Sequence, residues 1–259
     1  IVDALGGNDT IASLEGNDDV YAGAGDDVVS GGEGDDLIYG DRTLADDTGT
    51  GSGERESFNW SEAGFAPGET VTTFTQDTGT VNVTFTTVSA TPKTTTAFSD
   101  EVQLTLGIDG DGETVDTNSS LSSETRLAGQ GEVYELSFDA PVTNVDFNIN
   151  DIDGDSLVRV LAFDAAGNPL EVTLEGGAGL TLSDTDGVPG ADTASSDGGY
   201  ASADNPVYSL QVDIAGPVSR IEIQHDQTGD GNTSVNITDV FFTATSGVVV
   251  DEFGNDDLS

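Results

Sequence analysis

The 259-residue chain has no cysteine, no methionine, one tryptophan, one histidine and only six basic side chains. Each shortage excludes something. Without cysteine there is no disulfide, no thiolate metal site and no sulfur nucleophile. With His225 as the single imidazole, no metal site built on two histidines can form. Six cations against 49 carboxylates leave a formal charge of −43. That balance excludes nucleic-acid partners, because phosphates are held by Lys and Arg, and Lys93 is the one lysine. It also argues against anionic membrane surfaces. No apolar run approaches the roughly 18 residues that make a spanning helix, so membrane insertion is not expected. The chain opens at Ile1 without a charged-then-apolar leader, and it reads as an internal or processed piece of a longer protein.

What is present points to a folded chain. Apolar residues make up 35% of it before its 34 glycines are added, close to the ordinary globular share. Compacting so many carboxylates is unfavourable unless cations neutralise them. The donors on offer are oxygens, which suit Ca²⁺ rather than a soft metal. An extracellular domain without disulfides also needs another staple, and metal is the candidate.

The N-terminus is repetitive with a period of nine: Ala4–Ala12 (ALGGNDTIA), Ser13–Tyr21 (SLEGNDDVY), Ala22–Ser30 (AGAGDDVVS) and Gly31–Tyr39 (GGEGDDLIY). The fourth place is always glycine (Gly7, Gly16, Gly25, Gly34), and the sixth is always aspartate (Asp9, Asp18, Asp27, Asp36). The eighth is a β-branched aliphatic: Ile11, Val20, Val29, Ile38. Six residues rich in Gly, Asp and Asn form a turn, since glycine accepts the positive φ that a tight loop demands. Three residues follow as a short strand with its middle aliphatic inward. Two units then make one coil of a parallel β-roll, so Asp9 stacks on Asp27 and Asp18 on Asp36. These aspartates, with the turn glycines and their carbonyls, are the candidate Ca²⁺ ligands.

This pattern resembles the RTX (repeats-in-toxin) nonapeptide, G-G-x-G-x-D-x-U-x. The fourth unit matches at Gly31, Gly32, Gly34, Asp36 and Ile38, and the third lacks only its first glycine, replaced by Ala22. The first two depart at both leading places, with Ala4, Leu5, Ser13 and Leu14. The resemblance covers roughly residues 1–41. It implies secretion by a Gram-negative bacterium through a type I exporter, with folding triggered by external calcium. It says little about the whole protein, because such blocks accompany proteases, lipases, adhesins and S-layer proteins alike.

Residues 42–57 read as a linker, 58–246 as a second domain and 247–259 as an acidic tail. The second domain shows alternating segments rich in Val, Thr and Phe, among them Thr80–Val88, Glu101–Leu106, Glu132–Phe138, Val142–Ile149 and Val218–Ile223. Turn clusters separate them and no helical apolar period competes. The fold class is therefore all-β: a short parallel roll followed by an antiparallel β-sandwich of the jelly-roll kind. Stretches such as FDAPVTNVDFNINDIDGD are loosely similar to β-sandwich modules of bacterial surface and carbohydrate-binding proteins, and no binding residue is carried over from them.

Acidic loops recur between the strands. Asp109 and Asp111, and Asp151, Asp153 and Asp155, alternate so that their carboxylates can converge, and both sets are candidate calcium ligands. Asp184 and Asp186 with Asp192 and Asp197, and Asp226 with Asp230 and Asn232, are further acidic loops. None completes an EF-hand: counting from Asp151, the sixth place is Ser156 and the twelfth Ala162. Solvated turn acids are the plain alternative for each.

An enzyme is not expected. No Gly-x-Ser-x-Gly elbow surrounds any serine, His225 reads as an ordinary strand-end or loop residue, and no catalytic residue is assigned. Among the aromatics, Trp60 reads as core, while Tyr200, in the polar stretch SSDGGYASADNP, is the candidate ligand-binding ring. The resulting expectation is a secreted or cell-surface, calcium-binding segment whose sandwich mediates adhesion or glycan binding. A self-assembling structural subunit of an S-layer or fibre remains the alternative, since both would be acidic, cysteine-free and calcium-dependent.

Overall fold

The computed structural model describes residues 1–4, 7, 9–22, 27–39, 55–196, 198–229 and 233–244, and the backbone of 249–251. Among these residues the chain is built of strands, with short 3₁₀ turns at Ser61–Ala63 and Pro206–Tyr208. It divides into two compact units, Ile1–Glu54 with Thr245–Ser259, and Arg55–Ala244.

The first unit is a parallel roll. β1 (Val2–Asp3), β3 (Asp19–Tyr21) and β5 (Asp36–Tyr39) form one sheet, and β2 (Thr10–Ala12) pairs with β4 (Val28–Ser30) in the other. Val2 lies beside Val20, Val20 beside Ile38 and Ile11 beside Val29, so each coil is two nonapeptides, as the period demands. The eighth-place aliphatics are not equally covered. Val20 and Ile38 are buried, whereas Ile11 and Val29 are half-buried. Tyr21 and Tyr39 stack at 4.6 Å between ring centroids, extending the buried side. Within the segment read from sequence as an acidic tail, β21 (Val249–Asp251) runs antiparallel to β5 and places Asp251 opposite Asp36.

The second unit is an antiparallel sandwich organised by one long strand, β11 (Gly131–Asn150). The first half of β11 lies between β18 (Val218–Gln227) and β8 (Asn82–Ala90). That layer continues through β12 (Ser156–Phe163), β16 (Thr193–Ser196) and β15 (Leu180–Ser183) on one side, and β7 (Phe74–Asp77) on the other. β13 (Pro169–Leu170) flanks β12. The second half of β11 changes partners to β17 (Leu210–Ile214) and β20 (Val240–Ala244), which carry β14 (Thr173–Gly176) and β6 (Arg55–Phe58) outside them. β19 (Thr233–Thr238) joins at Ile149 and Asn150, followed by β10 (Ser120–Thr125) and β9 (Thr94–Ser99). Register shifts after Ser137 and after Thr143 mark the handover. Both sets of strands share one apolar core, with Phe85, Tyr134 and Ile223 from one and Phe58, Phe147, Val212 and Phe242 from the other.

The structure departs from the sequence reading in three places. Glu101–Leu106 is a loop rather than a strand, because its polar groups are satisfied outside any ladder: Gln103 N donates to Thr117 O, Leu104 N to Ala203 O, and Asn148 Nδ2 to the carbonyls of Leu104 and Leu106. His225 sits within β18, not at a strand end, and is fully buried. The residues read as a linker lie outside the described residues up to Glu54, and the last three, Arg55 to Ser57, already belong to β6. Arg55 is drawn inside by a buried ion pair with Asp146.

Candidate calcium centre

In the roll, stacking fixes each sixth-place carboxylate by one oxygen. Asp27 Oδ1 accepts a hydrogen bond from Asp9 N at 2.8 Å, and Asp36 Oδ1 accepts one from Asp18 N at 2.9 Å, each pair 18 residues apart. The other oxygen, Oδ2, is buried and has no hydrogen-bond partner in Asp9, Asp18, Asp27 and Asp36 alike. A buried carboxylate oxygen with no donor is costly. The same defect at the same place in four repeats is what an all-oxygen cation site leaves when described by its protein atoms alone. The donor set fits Ca²⁺.

The glycines explain how the turns come close enough. Gly7, Gly16 and Gly34 take φ values of 124°, 119° and 136°, a region closed to most side chains. A Cβ on Gly34 would lie 2.2 Å from Gly16 O, so that carbonyl stands between the stacked turns. A Cβ on Gly31 would lie 2.3 Å from Asp36 Oδ2, in the space the carboxylate uses. Gly25 lies outside the described residues. Leu14 occupies a glycine place of the repeat and keeps the glycine conformation, with φ of 77° and 72% exposure.

The sandwich loops divide. Asp109 is held by protein groups: its N donates to Asp146 Oδ1 at 3.2 Å, its O accepts from Arg55 Nε at 2.8 Å and its Oδ1 accepts from Asp111 N at 3.1 Å. Burial raises Asp146 to about 6, against the lowering effect of Arg55. Asp151 and Asp153 form a tight pair. Burial first, then the charge of Asp153, pushes Asp151 up to about 7, and burial raises Asp153 as well. Asp151 Oδ1 is buried without a partner. Asp155 fills the space over Gly229, where a Cβ would come within 2.1 Å of its Oδ2. Among the described residues, the one trio of acids with oxygens all within 4.8 Å is Asp184, Asp186 and Asp192. The β15–β16 hairpin closes this trio, which the sequence groups as one acidic loop together with Asp197. Burial raises Asp192, but hydrogen bonds from Thr193 and Thr185 outweigh it and hold the carboxyl below its ordinary range. Asp197, Asp230 and Asn232 lie outside the described residues.

Tyr200 and the Asp151–Asp155 loop, read separately from sequence, form one surface. Gly154 N donates to Gly199 O at 2.8 Å and Ala201 N to Asp153 Oδ2 at 3.0 Å. The Tyr200 ring lies against Gly154, where a Cβ would be 2.8 Å from Cε1, yet 69% of the residue is exposed. Trp60, by contrast, is core, with its Nε1 donating to Thr238 O at 2.9 Å. Tyr208 is half-buried over Gly199 and Gly179.

His225 lies in a buried polar cluster. Its Nδ1 is 2.8 Å from Ser123 Oγ, which also accepts from Tyr134 OH at 2.7 Å, and Thr96 Oγ1 donates to Glu132 Oε2 at 2.7 Å. Burial lowers His225 to about 3.

A family model described as the RTX calcium-binding nonapeptide repeat matches residues 13–42, in four copies. This part of the chain is a calcium-binding repeat block. No curated protein matches the chain. Among solved structures, the K2 cleaved adhesin domain of Lys-gingipain is similar at a TM-score of 0.39 and 11% identity, over 74% of this chain and 100% of that one. The K1 cleaved adhesin domain from Porphyromonas gingivalis W83 gives 0.29 and 15%, over 63% and 99%. A family 11 carbohydrate-binding module from Clostridium thermocellum gives 0.28 and 6%, over 68% and 98%. These scores are too low to carry over anything about those proteins.

Proposed function

We propose that the chain is a non-enzymatic, calcium-stabilised segment of a protein exported to the surface of a Gram-negative bacterium, and that its sandwich binds glycans through the Tyr200 loop. The observation that carries this is the Tyr200 ring, 69% exposed and set on Gly154 beside the Asp151–Asp153 pair. A large ring left in water is unfavourable, and the C–H face of a sugar removes it from water. The adjacent carboxylates, or a calcium ion held between them, take sugar hydroxyls. Burial of the only imidazole, at 0% exposure, supports the non-enzymatic reading, since His225 is closed off from solvent. The test is glycan-array screening with Ca²⁺ present, comparing the native chain with Tyr200→Ala. Binding to at least one glycan, lost in the variant at unchanged thermal stability, is the expected result. Silence across the array, together with calcium-driven polymerisation in light scattering, would replace this reading with a self-assembling structural subunit.

A further inference from the structure

The outer face of the β14–β17–β11 layer carries a cross-strand row that neither the repeat nor the Tyr200 loop accounts for. Asn148 lies directly opposite Gln211, and Gln211 directly opposite Glu175, so three polar side chains share one register position on three adjacent strands. Their neighbours on the other face, Phe147, Val212 and Leu174, are buried in the core. Above the row is an open groove of about 190 Å³, walled by Leu104 and Leu106 on one side and by Gly176, Gly177 and Pro206 on the other. Glycine at 177 is needed for that wall, because a Cβ there would lie 1.8 Å from Pro206 O.

The floor of the groove is rich in acceptors. Asn148 is 1% exposed, and its Nδ2 donates to Leu104 O and Leu106 O, both at 3.1 Å. This fixes the amide with Oδ1 as an acceptor, and that oxygen is buried without a donor. Gln211 Nε2 donates to Gly107 O at 3.1 Å, and Glu175 adds an exposed carboxylate. In the next row Asp213 faces Asp146, whose charge is paired with Arg55, so Asp213 and Glu175 leave the surroundings net negative and a negatively charged ligand is repelled. The walls are aliphatic, with Leu106 72% exposed. The volume falls below the roughly 300–1,000 Å³ of a drug-sized pocket and suits a single sugar ring.

We propose that this groove is a second saccharide subsite, which holds one uncharged sugar residue. Its hydroxyls donate to the Asn148–Gln211–Glu175 row, and its C–H face rests on Leu106 and Pro206. The proposal rests on the glycan-binding reading of the sandwich and adds a place and a charge preference to it.

The experiment is a titration of the isotope-labelled chain, in calcium, with methyl β-glucoside, methyl β-galactoside, methyl α-mannoside, glucuronate and propylamine, followed by amide chemical shifts. At least one neutral glycoside is expected to shift Leu106, Gly176, Gly177 and Gln211, while glucuronate does not. Glu175→Ala and Leu106→Ala, both at exposed positions, each weaken that response by about tenfold, and Val88→Ala, at an exposed position of β8, leaves it unchanged. The proposal is overturned if no neutral glycoside shifts these amides, if propylamine shifts them more than any sugar, or if neither wall nor floor variant weakens the response. A groove that responds while the amides around Tyr200 stay silent would instead count against the Tyr200 reading alone.

Discussion

At the scale of the residue, the sixth-place aspartates matter most. Each presents one buried oxygen with no donor, and a divalent cation converts that cost into binding energy that is also folding energy. Asp36 is 1% exposed and its Oδ1 already accepts from Asp18 N, so its Oδ2 has only the cage to serve. Asp36→Asn keeps the volume but removes the negative charge and one of the two ligand oxygens. It is expected to raise the calcium concentration at half-folding by on the order of tenfold. Asp35→Asn, at an exposed neighbour, leaves that midpoint in place. Equal effects of the two in a circular-dichroism titration would show the repeat register to be wrong. Leu14 supplies a prediction of opposite sign. A left-handed conformation costs a non-glycine residue about 1–2 kcal/mol, while glycine gives back about 0.4–1 kcal/mol through the unfolded chain. With φ of 77° and an exposed side chain, Leu14→Gly should therefore lower the calcium midpoint. A higher midpoint would mean that the leucine side chain makes up for its strain.

At the scale of the element, buried ionisable groups make the sandwich sensitive to pH in two opposing ways. Asp239, between β19 and β20, accepts from Trp60 N at 2.9 Å and Ser119 Oγ at 2.5 Å. Burial, followed by the charges of Asp116 and Glu62, lifts its pKa from 3.8 to about 7. The fold thus favours its protonated form, and that contribution, full below 3.8, is lost as pH rises through about 7. His225 works in the other direction. Lowered by burial from 6.5 to about 3, it contributes stability above 6.5 that is lost as pH falls towards 3. Asp239→Asn preserves the acceptor and removes one of the two effects. In chelator, its advantage in Tm over the native chain should grow from pH 4 to pH 7, and a constant difference would contradict the assignment. Elements differ in how visible they are in sequence for related reasons. The roll is legible because a nine-residue period fixes coil length, stacking partner and turn geometry together. Strands that bury Val, Ile and Phe against the core also stand out, as in Val218–Ile223. β9 (TTTAFS) and β10 (SLSSET) do not, because each sends a single apolar residue into the core, Phe98 and Leu121, while their other inward residues Thr96, Ser123 and Thr125 are polar. β11 reads as two strands around Pro141, yet the structure carries the chain through with a change of partners.

At the scale of the molecule, the two units place different demands on calcium. The sandwich has a continuous apolar core that draws on strands from both layers. Among its described residues, the roll buries only Val20, Tyr21, Ala22 and Ile38 of its apolar side chains, and it stacks carboxylates on one another. Which acids face each other across the roll follows from the period. That Tyr200 joins the Asp151–Asp155 loop depends on a contact between residues 48 positions apart, which no local pattern announces. Calcium is expected to order the roll but not to create the sandwich. Amide hydrogen exchange on the whole chain, in chelator and in millimolar Ca²⁺, tests this directly. The amides of Asp9, Asp18, Val28 and Leu37, which bond across stacked coils, should be protected only with calcium. Those of Phe147, Val212 and Ile223 in the sandwich core should be protected in both conditions. Protection of the roll amides in chelator equal to that in calcium would contradict the account.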